Sequence, residues 1–182
     1  MAKAFLVKDI NSGSSGSNHI WRIPVGATLY FRADDGINGE ELWKTDGTES
    51  GTLLVKDINS GNSNSTPRDL TKVDDKLFFL ANDGINGEEL WISDGTQSGT
   101  LLVKDINSGS SGSSSSRGVQ INEEFLFISN NGVNGEELWI SDGTQSGTLL
   151  VKDINSGSGD SSPLWLVPSE AKDIVFFNAN DG

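Results

Sequence analysis

The residues able to do chemistry in this chain return at fixed intervals. Asp35-Gly36, Asp83-Gly84 and Asp181-Gly182 form one set, and Asp46, Asp94 and Asp142 a second, with the pairs Glu40/Glu41, Glu88/Glu89 and Glu136/Glu137 nearby. Repeated Asp, Asn and Glu beside Gly could supply the six or more oxygen ligands that a hard cation such as Ca²⁺ takes. The same residues also suit tight hairpin turns, where Asp-Gly and Asn-Gly adopt φ > 0 cheaply. The third copy reads Asn130-Asn131-Gly132, and no D-x-D-x-D-G or GGxGxD pattern occurs. A turn tolerates that swap, whereas a cation site loses a charge. The turn role is therefore expected, no metal ligand is assigned, and Ca²⁺ is kept as the alternative.

Catalytic constellations are thin. His19 is the single histidine, there is no cysteine, and neither a G-x-S-x-G elbow nor a G-x-x-x-x-G-K-[ST] loop is present. Carboxylates are numerous enough for a glycosidase pair, but their recurrence in each copy makes no single pair specific. A non-catalytic protein is expected. The net charge of −13 argues against a nucleic-acid partner and against an anionic membrane surface. No apolar run is long enough to span a bilayer as a helix, so membrane insertion is not expected.

The elements that would position these residues follow from the repeat itself. The stretch NGEELWISDGTQSGTLLVKDINSG occupies residues 86–109 and, letter for letter, residues 134–157. Residues 38–61 differ only at Lys44, Thr45 and Glu49. The VKDI core starts at Val7, Val55, Val103 and Val151, a period of 48 residues. Such a period signals a stacked or radial architecture whose units cannot bury their apolar faces alone.

Within the second copy the pattern predicts strand a over residues 69–73, b over 76–81, c over 88–93 and d over 100–106. Strand b is a continuous apolar run with two adjacent Phe, the mark of a strand covered on both faces. Four short antiparallel strands joined by two tight hairpins and a polar crossover describe a β-propeller blade, with a linear β-solenoid as the competing architecture. The expected fold is all-β, a β-propeller of ~48-residue four-stranded antiparallel blades. About four units are expected, one incomplete, in a single array over residues 1–182. The units fall near residues 11–58, 59–106, 107–154 and 155–182, with an N-terminal strand at residues 3–10.

The pattern ELW-x-[ST]-DGT-x-x-GT-x-LVKDI, followed by a Ser/Gly linker and an LFF-x-AND-G strand, resembles the ELWxxDGT repeat family over essentially the whole chain. The resemblance implies propeller-like arrays in large bacterial, often surface-associated proteins, an extracellular or cell-surface address, and no defined activity.

Residues alike in each copy answer to what each blade needs, so a unique site would lie where the copies differ. Strand a and the linker before it vary most. One column reads Trp21, Asp69, Arg117, Trp165, its neighbour reads Ile20, Arg68, Ser116, Leu164, and a column of strand b reads Arg32, Leu80, Ile128, Asn178. With a innermost, the first column approaches the central channel. There, aromatic faces stack on sugars and a guanidinium reaches anionic groups. Trp21, Asp69, Arg117 and Trp165 are the candidate ligand-binding residues, for a protein or glycan. The competing reading is relaxed constraint on a partly exposed strand. Strands a, b and d occur four times and c three times, so either the chain is a piece of a longer array or copies associate. In the second case a homo-oligomer, a dimer completing a larger ring, is expected.

Overall fold

A computed structural model describes residues 4–13, 15–113, 116–170 and 173–182, without the side chains of residues 116 and 117. No helix occurs among these residues. The first sheet joins β1 (Ile20–Val25), β2 (Thr28–Asp34), β3 (Glu40–Thr45) and β4 (Leu53–Lys56) in chain order, each pair antiparallel. The second repeats this with β5 (Arg68–Val73), β6 (Lys76–Asn82), β7 (Glu88–Ser93) and β8 (Leu101–Lys104). The third does so with β9 (Ser116–Ile121), β10 (Glu124–Asn130), β11 (Glu136–Ser141) and β12 (Leu149–Lys152). A two-stranded sheet, β13 (Leu164–Pro168) and β14 (Val175–Asn178), ends the chain. The architecture is thus all-β and built of blade-type sheets.

The apolar runs follow from packing on both faces. Leu77, Phe79 and Ala81 of β6, with Trp91 of β7, meet Tyr30, Leu42, Val55 and Ile58 of the preceding unit. The alternate residues Phe78 and Leu80, with Leu90, Ile92 and Val103, meet Phe125, Phe127 and Trp139 of the next. Period-two side chains therefore serve two interfaces at once, which removes the usual polar face. The first strands lie against one another in sequence, β1 on β5, β5 on β9 and β9 on β13.

Each of the two joints between four-stranded sheets also carries a lysine. Lys56 Nζ donates to the Thr100 carbonyl at 2.8 Å and sits 5.8 Å from the Trp91 ring centroid; Lys104 does the same with Thr148 and Trp139. Residues 5–10, expected as a strand, pair with no strand among the described residues. They nonetheless hold the d position: Lys8 Nζ donates to the Thr52 carbonyl at 2.8 Å, and Ile10 packs against Phe31, Ala33 and Trp43. Residue 3 of that expected strand lies outside the described residues.

Candidate functional site

Three sets of the repeated acidic residues have structural roles. In the β6–β7 turn, Asp83 Oδ1 accepts the Ile85 and Asn86 N–H groups at 2.9 and 2.8 Å, and its Oδ2 accepts Asn86 Nδ2 at 2.7 Å. In the β7–β8 turn, Asp94 Oδ1 accepts the Thr96 N–H at 2.8 Å and the Thr96 hydroxyl at 2.7 Å. These Thr hydroxyl and N–H donors hold Asp46, Asp94 and Asp142 below the usual carboxylate range. Asn131 takes the Asp place in the third copy without losing the turn: its Oδ1 still accepts Val133 and Asn134 N–H at 3.0 and 2.8 Å. Among the described residues no group of three or more His, Cys, Asp or Glu could hold a metal ion.

The second glutamate of each pair does something the sequence reading missed. Glu41, Glu89 and Glu137 are fully buried. Glu41 accepts the N–H groups of Ile58, Asn59 and Ser65 at 3.0, 3.2 and 3.1 Å, and the Ser65 hydroxyl at 2.5 Å. Glu89 takes Ile106 and Asn107 likewise, and Glu137 takes Ile154 and Asn155. A carboxylate thus collects backbone donors that leave the sheet at the end of strand d and clamps the crossover to the next unit. Burial pushes the Glu41 and Glu89 carboxyls up to about 7, against the opposing pull of those hydrogen bonds. The signal was available, since Ser17, Ser65, Ser113 and Ser161 recur at the same period inside linkers that otherwise vary.

The variable column lies at one place in the fold. Strand a carries a bulge in each unit, with register breaks between Ile20 and Ile23, Arg68 and Thr71, and Leu164 and Val167. Trp21, Asp69 and Trp165 sit in these breaks with φ of 55°, 53° and 60°. Arg117 occupies the corresponding place in β9, and its side chain lies outside the described residues. Asp69 and Trp165 line one cavity of about 650 Å³, together with Gly118, Val119, Ile128 and Leu164. That cavity spans three consecutive units and falls in the size range of small-ligand pockets. Trp165 is 77% exposed, Trp21 is half-buried, and Trp21 does not line the cavity.

The Asp69 carboxylate is held by Arg68, whose Nε and Nη2 also grip both oxygens of Glu88 at 2.9 and 2.5 Å. In the first unit the arginine comes from the opposite strand of the same cross-strand pair. Ile20 faces Arg32 there, where Arg68 faces Leu80, and Arg32 Nε lies 3.4 Å from Glu40. Two neighbouring variable columns therefore exchange one guanidinium while keeping its acidic partner. His19 sits exposed beside a smaller cavity of about 310 Å³ with Leu6, Ile10, Arg22, Leu29 and Phe31. Comparison of the chain with known protein families, curated proteins and solved structures found no match.

Proposed function

We propose that this chain is a non-catalytic β-propeller-type scaffold that binds a protein or glycan through Trp21, Asp69, Arg117 and Trp165. One observation carries the reading. A non-glycine residue at φ near +55° is strained, and a bulge of this kind is served most cheaply by Gly, Asn or Asp. Tryptophan stands there twice. Relaxed constraint would let such a position drift towards small turn residues, not towards the bulkiest side chain available. The indoles supply stacking faces, and the Arg68-held Asp69 carboxylate supplies an acceptor for hydroxyl or amide donors. The resemblance to the ELWxxDGT repeats supports an extracellular or cell-surface setting, and the reading needs neither metal nor cofactor.

The test is a glycan array and a surface-protein panel probed with the chain and with a Trp21→Ala/Trp165→Ala variant. The reading expects ligand capture to vanish while the melting midpoint stays put. Capture that survives the double substitution overturns it. A second reading, a structural repeat whose self-assembly into a ring or longer array is its function, is supported by the way the middle sheet seals one face against the unit before it and the other against the unit after it.

A further inference from the structure

The b–c turns carry an apolar residue that the fold leaves outside. Ile37, Ile85 and Val133, at one position of successive units, are 72%, 74% and 67% exposed. Ile85 belongs to the middle sheet, which has a four-stranded sheet on either side, so its exposure owes nothing to where the sequence begins or ends. The turn gains nothing from it, since Gly, Asn, Asp and Ser serve turns and a β-branched side chain does not. Single exposed aliphatic residues are ordinary on a protein surface, but one at the same place in each unit makes a row. The third copy changes Asp-Gly-Ile to Asn-Gly-Val and keeps the aliphatic group. Each is also fixed by its turn: the Ile37 and Ile85 N–H groups donate to Asp35 and Asp83 at 2.9 Å, and the Val133 N–H to Asn131 at 3.0 Å. These turns alternate with the crossovers along one rim. A Cβ on Gly84 would fall 2.7 Å from Asn59 Oδ1 of the preceding crossover, and one on Gly132 2.6 Å from Asn107 Oδ1. Segments 34–40, 57–65, 82–88, 105–113, 130–136 and 153–161 build the rim, and each holds an acid but no Lys or Arg. Arg32 and Arg68, on adjoining strands, are engaged by Glu40 and Glu88 at 3.4 and 2.5 Å. The rim is acidic and aliphatic at once.

We infer that this rim, with Ile37, Ile85 and Val133 as its apolar contacts, is a docking surface for a basic polypeptide segment whose aliphatic side chains alternate with lysine or arginine. Charge complementarity selects the occupant. Aliphatic groups of the partner would meet the three tips, and its cations would lie among Asp34, Asp105, Glu136 and Asp160. A second copy of this chain would bring the same acidic rim and a net charge of −13, and an anionic lipid surface would be repelled likewise. A glycan would leave the aliphatic row without a partner. Because the tips are tied by hydrogen bonds before binding, little ordering cost falls on this side of the contact. The surface lies on the b–c turns and crossovers, not on the strand-a bulges, so it is independent of the Trp21–Trp165 column.

The experiment titrates the isotope-labelled full chain with a synthetic peptide of alternating Lys and Leu, followed by amide chemical shifts, against a Lys–Ser peptide of equal length and charge. Shifts centred on residues 35–38, 83–86 and 131–134 are expected, with the Lys–Leu peptide binding about tenfold more tightly. An Ile37→Ser/Ile85→Ser/Val133→Ser chain keeps each charge and each turn N–H, and should bring both peptides to one affinity. Leu53→Ser/Leu101→Ser/Leu149→Ser, which removes leucines 45%, 52% and 54% exposed on the d strands, should leave the preference intact. Equal affinities of the two peptides for the unaltered chain, shifts centred elsewhere, or a preference lost as fully in the leucine variant overturns the inference. So does an unaltered chain that self-associates, or binds phosphatidylcholine vesicles, through the three tips, as shown by release in the Ile37/Ile85/Val133 variant.

Discussion

Replacing Lys104 with methionine isolates the joint between the second and third sheets. Methionine keeps the unbranched apolar stem beside Trp139 and removes the ammonium, and with it the 2.8 Å bond to the Thr148 carbonyl and the contact 5.8 Å from the indole centroid. A hydrogen bond from a charged donor contributes about 1.5–3 kcal/mol and an exposed cation–π contact about 0.5–1 kcal/mol. Relief of the ammonium's partial dehydration offsets some of this, since Lys104 is half-buried. The net expected loss is about 2 kcal/mol, which lowers the melting midpoint by about 4–8 °C in a domain of this size. The assay is urea unfolding followed through tryptophan fluorescence, in which Trp139 reports directly on the joint. Lys152→Met is the internal control. It removes the same charge from the same repeat position, but from a lysine with no threonine acceptor among the described residues, and should leave stability within about 0.5 kcal/mol. Equal losses in the two variants would refute the reasoning, for the effect would then belong to net charge or helix-free chain properties and not to the joint.

The clamp glutamates give stability a pH dependence of unusual sign. Glu41 and Glu89 titrate near 7 folded against an ordinary 4.5, so the folded chain holds the extra protons. Their contribution is fully present below about 4.5 and is lost as pH rises through about 7. Urea midpoints should fall across that window, and a Glu41→Gln/Glu89→Gln variant should flatten the decline. Asp94→Ala should lower the midpoint by less than Lys104→Met, with the wild-type advantage disappearing as pH falls below the usual carboxylate range, because Asp94 titrates low. Gly118→Ala should cost about 1–3 kcal/mol by overpacking, because a Cβ there would fall 2.3 Å from the Leu126 carbonyl oxygen and 2.6 Å from the Phe125 ring. Asn131→Asp should stay within about 0.5 kcal/mol. Its melt with calcium should match its melt with chelator, and a calcium-dependent rise would point to a cation site at that turn.

The strands were legible in the sequence because their signal is redundant. The apolar run of β6 and the flanking Asp-Gly turns agree in each copy, and the expected bounds match the observed ones within a residue or two. The d strands end early, at Lys56, Lys104 and Lys152. The N–H groups of Ile58 and Ile106 go to a buried glutamate and not to strand c, and that clamp is marked only by Glu and Ser recurring at the 48-residue period, with no strand-like alternation to reveal it. The two glutamates of EE read alike, yet Glu88 faces Arg68 at the surface while Glu89 is buried in the clamp. Strand pleat separates them, but which face is sealed depends on the crossover that follows, about twenty residues on. The Trp21 column was found because it varies. Its left-handed backbone could not be read, since bulges leave no mark when the residue at the break is neither Gly nor Asn.

Why residues 86–109 should be repeated letter for letter while strand a drifts has a physical answer in the joints. Along that stretch Glu89 clamps the crossover, Trp91 and Val103 face opposite neighbours, Asp94 ties a turn and Thr100 receives the preceding lysine. A change at any of them is felt in two units at once, which is the nearest-neighbour coupling of repeat architectures. Even an exception follows the rule. Lys44 replaces the isoleucine found at 92, and its Nζ donates to the Gly95 carbonyl at 2.8 Å; Ile92 makes the equivalent contact on Gly143, with its Cδ1 against the glycine. Apolar packing has been exchanged for a hydrogen bond on the same partner position. Strand a adds Val73 and the partly buried Ile23, Val25 and Leu70 to these joints, whereas its bulge positions lie outside both core clusters and can vary without disturbing them. A molecule built this way has one set of variable positions free to acquire a ligand, and it is the set in which two tryptophans occupy a backbone conformation that disfavours them.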